Sequence, residues 1–286
     1  MQKKTIEKAI IAKMEEWLSS ISDNSLKKDV KNNLLVTGGC ITSMFLQEEI
    51  NDFDVYIQDV DVMYRLAKYY STPFSIEVLD YRNKEDLLKN LGEQKGINFI
   101  QVENLKPGQI KLNLSGNSFV KTDKEGSYEP TFFSPNAISL NNKLQIVCRF
   151  TGTSEEIHNT FDFIHATNYF TFKEGLVTNL RAVESILTKQ LFYQGSLYPL
   201  TSIIRIKKFV NRKWRINAGE MLKMMFQVSK LNLEDVNVLE DQLIGVDVAY
   251  FGVLINAIRN TNKETLTQEY LFALIDKIFN SEDISN

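Results

Sequence analysis

From Leu34 to Ile57 the chain reads LLVTGGCITSMFLQEEINDFDVYI, and no other stretch limits the fold as much. An apolar run of strand type stops at Gly38-Gly39, a helical pattern follows from Ile41 to Glu49, and residues 53–58 alternate as a strand. A strand, a tight turn, a helix and a returning strand require a sheet with a helix packed on it. Residues i and i+2 of a strand project from one face, roughly 6–7 Å apart, so Asp52 and Asp54 share a face. The two carboxylates repel, and the segment holds no basic residue to relieve them. A divalent cation removes that repulsion, and Mg²⁺ favours one or two carboxylates together with substrate phosphates. The turn before the helix presents free backbone N–H groups and the positive helix end to an anion. An anion cradle with a cation site close behind it suits a nucleoside triphosphate.

Around this segment the periodicity predicts helices over 5–19, 60–70 and 84–91, and extended chain over 74–79. Short strand-type runs separated by Gly, Pro, Asn and Ser follow from Ile97 to Phe150: INFIQVE, QIKLNLS, AISL and KLQIVCRF. After Phe163 the pattern is helical, over 176–192, 200–211, 218–230, 242–259 and 267–279. The reading is an α+β part over residues 1–170 followed by an all-helical part over 171–286.

The segment resembles the nucleotidyltransferase superfamily that contains DNA polymerase β, poly(A) polymerases and tRNA CCA-adding enzymes. That signature is an apolar strand, Gly-Gly or Gly-Ser, a spacer, then Asp-x-Asp or Asp-x-Glu on the next strand. Gly38, Gly39, Asp52 and Asp54 occupy those positions, with 12 residues between Gly39 and Asp52. The resemblance is nearest to the CCA-adding branch and to phage-type nucleotidyltransferases. Where CCA-adding enzymes place an Arg-Asp pair after the glycines, this chain has Ile41-Thr42-Ser43. The resemblance implies a polymerase β-like mixed-sheet catalytic domain and a helical domain behind it. It also implies an Mg²⁺-dependent, template-independent enzyme that moves a nucleotidyl group from a nucleoside triphosphate to a hydroxyl, releasing pyrophosphate. Two Mg²⁺ ions are expected, with Ser43 serving a phosphate. An RNA 3′ end such as that of tRNA is the favoured acceptor. A small-molecule or protein hydroxyl, and a catalytically inactive nucleotide-binding or virion-associated module, stand as alternatives.

Relatives that use two metals place a third carboxylate on a neighbouring strand. Asp162, in the run TFDFIH (160–165), is the candidate for this metal and catalytic role; its other reading is a helix cap or a solvated strand acid. Glu77 is the runner-up, with Asp80 behind it. His165 reads as a near-core residue rather than a proton carrier. In the second half, Arg205, Lys207, Lys208, Arg212, Lys213 and Arg215 fall together with no acid among them. On a helix Arg205, Lys208 and Arg212 share one face, which reads as phosphate-contacting or as merely solvated. Trp214, Phe192 and Tyr193 are expected to add stacking surface beside it.

Composition narrows the setting. Hydrophobic residues at 43% and charged residues at 24% exclude a disordered, collagen-like or coiled-coil chain. The 33 Lys and Arg against 36 Asp and Glu leave a net charge of −3, so any nucleic-acid contact must be local. Cys40 and Cys148 form no CxxC pair, and with two histidines they exclude a disulfide scaffold and a standard zinc site. No apolar run approaches the ~20 residues that span a bilayer, so no membrane partner is expected. The expected location is a reducing cytoplasm, that of the host or a virion if the source is a phage.

Overall fold

The computed structural model describes residues 2–80, 110–114, 120–123, 126–233, 235, 238–239, 242 and 267–279. The helix expected over 84–91, the strand over 97–103 and all but residue 242 of the helix expected over 242–259 lie outside the described residues. The chain divides into two compact units, 1–190 and 191–286.

The first unit is a mixed α+β body. Helix α1 (Lys3–Ser20) buries Ile6, Ile10, Met14, Trp17 and Leu18 at the three- and four-residue spacing of one helix face. A second helix, α2 (Asn24–Asn33), starts where the Asp23 carboxylate accepts from the Ser25 and Leu26 amides. Strand β1 (Leu34–Thr37) is buried on both faces and leads through Gly38 into α3 (Gly39–Leu46). Strand β2 (Phe53–Ile57) returns antiparallel beside β1, and α4 (Val60–Ser71) follows with Asp59 as its cap. The Trp17 Nε1–H donates to the Tyr70 hydroxyl at 2.9 Å, pinning α1 to α4 inside the core. Removing a ring so fully buried costs about 3–5 kcal/mol.

Phe74, the first residue of the stretch expected to be extended over 74–79, instead closes a 3₁₀ turn, Thr72–Phe74, around Pro73. Strand β3 (Glu77–Asp80) then pairs with β4 (Ile110–Asn113) in a separate two-stranded sheet. The main sheet continues with β5 (Val120–Lys121), β6 (Pro130–Ser134), β7 (Ala137–Leu140) and β8 (Leu144–Val147). Next come the short helix α5 (Ser154–His158), β9 (Tyr169–Thr171) and β10 (Gly175–Val177). The eight strands run in the order β10-β9-β1-β2-β8-β7-β6-β5, with β2 and β8 parallel and their other neighbours antiparallel.

Two faces result from the alternation along these strands. Val36, Val55, Phe133, Ile138, Leu144 and Ile146 point into the main core under α1 and α4. On the other face Leu35 and Tyr56 pack against Ile157, Phe161 and Tyr169, and the registers place Asp54, Gln145, Ser139 and Phe132 on that same face.

The helix expected from residue 176 to 192 begins later. Leu176 is 1% exposed as a strand residue of β10, and the helix α6 (Leu180–Thr188) starts at the Asn179 cap. Its apolar periodicity merged with that of the strand before it. Because β9 pairs with β1 and β10 with β9, the first compact unit takes in these strands and runs to Gln190.

In the second unit the regular elements described are the helices α7 (Pro199–Asn211), α8 (Ala218–Val228) and α9 (Gln268–Phe279). The Tyr193 amide donates to the Glu220 carboxylate at 2.7 Å, and Lys223 pairs with the same carboxylate.

Candidate functional site

The turn that ends β1 is held tightly. Thr37 stands opposite Asp54 in the antiparallel register, and the next residue, Gly38, has φ +92°, a conformation side chains avoid. A Cβ at Gly38 would stand 3.1 Å from Asp54 Oδ2, so the backbone of the turn lies directly against the carboxylate. The Gly38 amide donates to the Ala166 carbonyl at 3.1 Å. Gly39, the first residue of α3, is exposed, and a Cβ there would meet nothing within 4 Å. The helix start therefore opens onto free space at Gly39, and the N–H groups of a first turn have no intrahelical acceptor.

The residues just inside that helix are buried. Burial, and after it the Asp54 charge, push the Cys40 thiol well above its ordinary pKa, so it is no nucleophile. Ser43, expected to serve a phosphate, is the fifth residue of α3 and buried at 5% exposure. It sits a full turn behind the open end of the helix.

Asp52 is exposed and immediately precedes β2, while Asp54 is half-buried within it. Asp162 is buried, and its Oδ1 accepts from the Phe163 amide at 3.0 Å. The run expected as a strand around it is irregular chain leading to a 3₁₀ turn at Ile164–Ala166. Glu77 lies on β3 in the separate two-stranded sheet, where it accepts from Asn113 at 2.9 Å, and Asp80 ends the same strand. His165 is buried and stacked on Phe163.

No three His, Cys, Asp or Glu side chains come together to hold a metal among the described residues. The three aspartates are therefore not a ready-made three-carboxylate site. Asp52 and Asp54 stand two positions apart in the chain, and a Mg²⁺ ion needs no more than one or two carboxylates beside water and phosphate oxygens.

One residue of this region carries no local signal in the sequence. His158, at the end of α5, places Nε2 2.9 Å from the Thr37 hydroxyl, which also faces the Ala166 and Asn168 carbonyls at 3.0 and 2.9 Å. Thr37 has one proton to give and two carbonyls to receive it, so His158 Nε2–H is the donor to the Thr37 oxygen. Its ring packs edgewise on Phe161 and tilts against Tyr169. A capping box between Thr153 and Glu156 fixes α5.

Burial pulls the His158 pKa down from 6.5 to about 4. A depressed histidine lends stability that is complete above its unfolded pKa and is lost as pH falls from 6.5 towards about 4. The melting temperature should thus drop more steeply over that interval in the native chain than in His158→Gln, which keeps a donor for Thr37. Parallel melting curves for the two proteins would refute this coupling.

On α7, Arg205 and Lys208 are exposed, and Arg212 at its C-terminal cap is half-buried. The aromatic residues expected to stack beside them are mostly interior. Trp214 is 2% exposed against Phe209, and Tyr193 is 4% exposed. An aromatic residue among basic ones reads as surface in the sequence, whereas here the rings form the unit's own core.

The strand, turn, helix and acid-bearing strand belong to a mixed-sheet α+β protein whose glycine turn lies beside a carboxylate. The family model described as Gabija anti-defense 2 family protein matches residues 8–189, and the chain belongs to that family. The Gabija anti-defense 2 protein of Bacillus phage SPbetaL7 is 22% identical over 219 residues, which are 76% of this chain and 42% of that protein. The chain thus spans less than half the length of that relative.

Among solved structures it is similar to the Thermotoga maritima CCA-adding enzyme complexed with tRNA, at TM-score 0.39 and 15% identity over 87% of this chain and 56% of that one. The Bacillus stearothermophilus CCA-adding enzyme in complex with CTP gives TM-score 0.38 and 14% identity over 85% and 51%. A likeness so distant carries no argument about what this chain does.

Proposed function

We propose that this chain is an Mg²⁺-dependent nucleotidyltransferase that acts without a template and that a phage uses against host defence. The observation that carries the reading is the closeness of Asp54 Oδ2 to the Gly38 turn, 3.1 Å from where a Cβ would stand, at the start of α3. A triphosphate placed on that helix end brings its phosphates beside the carboxylate. Asp52 and Asp54 would hold Mg²⁺, which supplies charge neutralisation on the phosphates. The acceptor hydroxyl oxygen bonds to the α-phosphorus as the bond to the bridging oxygen breaks. Pyrophosphate leaves with that electron pair, and the hydroxyl proton departs to water past a carboxylate oxygen of the pair.

The anti-defence role comes from the name of the phage relative, and modification of a nucleic acid or a defence component is how such an enzyme would serve it. An RNA 3′ end is the acceptor favoured by the basic face of α7; a small-molecule or protein hydroxyl is the alternative. The setting we propose is the host cytoplasm, and no helix among the described residues is long and apolar enough to cross a membrane.

Incubation with Mg²⁺, α-labelled triphosphates and bulk RNA tests the reading. Label in RNA with pyrophosphate release is the expected result. Label on protein or a small acceptor redirects the acceptor, and binding without pyrophosphate release overturns transfer. If Arg205, Lys208 and Arg212 grip RNA, replacing all three with Gln should leave Mg·ATP binding intact. The salt dependence of RNA binding should then flatten by about 0.7 in slope per lost phosphate contact.

A further inference from the structure

Residues paired across strands project from the same face of a sheet, and Thr37 stands between two such partners. It lies opposite Asp54 on β2 and opposite Tyr169 on β9, so the three side chains share one face. Directly opposed residues hold their Cβ atoms about 5 Å apart, which makes Thr37 the cross-strand neighbour of the carboxylate. Thr37 is wholly buried, and His158 reaches it from α5. The imidazole Nε2 stands 2.9 Å from Thr37 Oγ1, and the ring tilts against Tyr169.

The same threonine ends the pairing of β1 with β9 and leads into the glycine turn. Its hydroxyl faces the Ala166 and Asn168 carbonyls, and the Ala166 carbonyl also accepts from the Gly38 amide at 3.1 Å. Just inside α3, the Thr42 hydroxyl donates to the His165 carbonyl at 3.0 Å. Residues 165–168 therefore hold the end of β1, the turn and the start of α3 at once. They are themselves braced by Asn179, the cap of α6. Its backbone N–H donates to Asn168 Oδ1 at 2.9 Å, and its side-chain amide donates to Thr167 Oγ1 at 3.1 Å.

Thr37 holds the carbonyls with its proton, which leaves its oxygen to accept. Accepting from His158 Nε2–H commits that proton to the carbonyls and fixes the hydroxyl in rotation. The consequence falls on Gly38, whose φ of +92° brings the turn close to Asp54 Oδ2.

We propose that His158 is a positioning residue of the nucleotide site. Its Nε2–H, acting through Thr37, sets the Gly38 turn against Asp54 so that phosphate and cation are held together. The proposal rests on the nucleotidyltransferase reading given above. In this role His158 exchanges no proton with the substrate. Mg·ATP is gripped at two places, its phosphates on the turn and its ion on the carboxylates. A turn that shifts away from Asp54 loses the affinity that comes from both acting jointly.

Calorimetric titration of the full chain with Mg·ATP, below the melting temperature of every variant, tests this. The side-chain amide of glutamine reaches the place of Nε2 in histidine, whereas that of asparagine stops near the place of Nδ1. His158→Gln should therefore bind Mg·ATP as the native protein does. His158→Asn should bind about ten-fold more weakly, the low end of what loss of an outer hydrogen-bond partner costs a metal site. Thr37→Ser keeps the hydroxyl and should bind natively, and Thr37→Val should match His158→Asn. The double variant Thr37→Val/His158→Asn should bind no more weakly than the weaker single variant, because both remove one link.

Native affinity in His158→Asn and Thr37→Val overturns the proposal. Equal losses in His158→Gln and His158→Asn also overturn it, because the packing of the ring on Phe161 and Tyr169 would then be what matters. Additive losses in the double variant do the same. If His158→Asn does not fold, Thr37→Ser against Thr37→Val decides. The underlying reading is tested apart from this by Asp54→Asn. Native Mg·ATP affinity in that variant, or no Mg·ATP binding by the native protein, overturns the nucleotidyltransferase reading and the proposal with it.

Discussion

Asp54→Asn should abolish nucleotidyl transfer while the protein melts at or slightly above its native temperature. The carboxylate lies close to the turn at Gly38, and Asp52 stands two positions before it in the chain. The asparagine is isosteric and keeps the packing of the turn, but it removes the charge that draws Mg²⁺ and the phosphates together. Metal stabilisation of a phosphoryl oxygen is worth several kilocalories per mole, so transfer should fall by more than about 100-fold. Without metal, the loss of one of two like charges relieves repulsion, which is why stability should hold or rise. Pyrophosphate release measured beside a melting curve separates the two effects. If the variant keeps more than about a tenth of native turnover, catalysis does not depend on this carboxylate. A collapse of the fold would make Asp54 a structural acid instead.

What the sequence made legible was what lies close together in it. The strand, turn, helix and second strand occupy one continuous segment, so β1, α3 and β2 and the closeness of Gly38 to Asp54 follow from local periodicity and spacing. The partners supplied from afar were not legible. His158 reaches Thr37 across 121 positions, and nothing about a histidine after two acidic residues announces a threonine as its acceptor. Gln145, Ser139 and Phe132 stand in line with Asp54 only through strand register. A bulge between Pro130 and Phe132 shifts that register by an amount alternation does not reveal.

Helix α2 escaped because it buries just Leu26 and Val30, too thin a stripe to stand out, and its clearest signal is the Asp23 cap. The expected strand through Asp162 failed for the opposite reason. Alternating phenylalanines looked like a pleat, yet Phe161 packs on Tyr56 and Phe163 on His165 from an irregular segment.

The two glycines of the turn should respond to substitution in opposite ways, although they read alike in the sequence. At Gly38 the φ of +92° excludes a side chain, and a Cβ would come within 3.1 Å of Asp54 Oδ2. Gly38→Ala should therefore lower stability by about 1–3 kcal/mol and displace the carboxylate, losing Mg·ATP binding and transfer together. At Gly39 the backbone is ordinary and a Cβ meets nothing within 4 Å. Alanine there should leave stability unchanged or raise it by up to about 1 kcal/mol, because a first-turn helix position no longer pays the entropy of glycine. The open space in front of Gly39 is where a phosphate would approach the helix amides. Gly39→Val, which fills more of that space, should thus weaken Mg·ATP binding by at least about ten-fold with the melting temperature kept, equivalent to ~1.4 kcal/mol. Calorimetric titration with Mg·ATP and a melting curve on each variant decide the matter. Native Mg·ATP affinity in Gly39→Val would place the triphosphate elsewhere, and unchanged stability in Gly38→Ala would show that the turn gives way without cost.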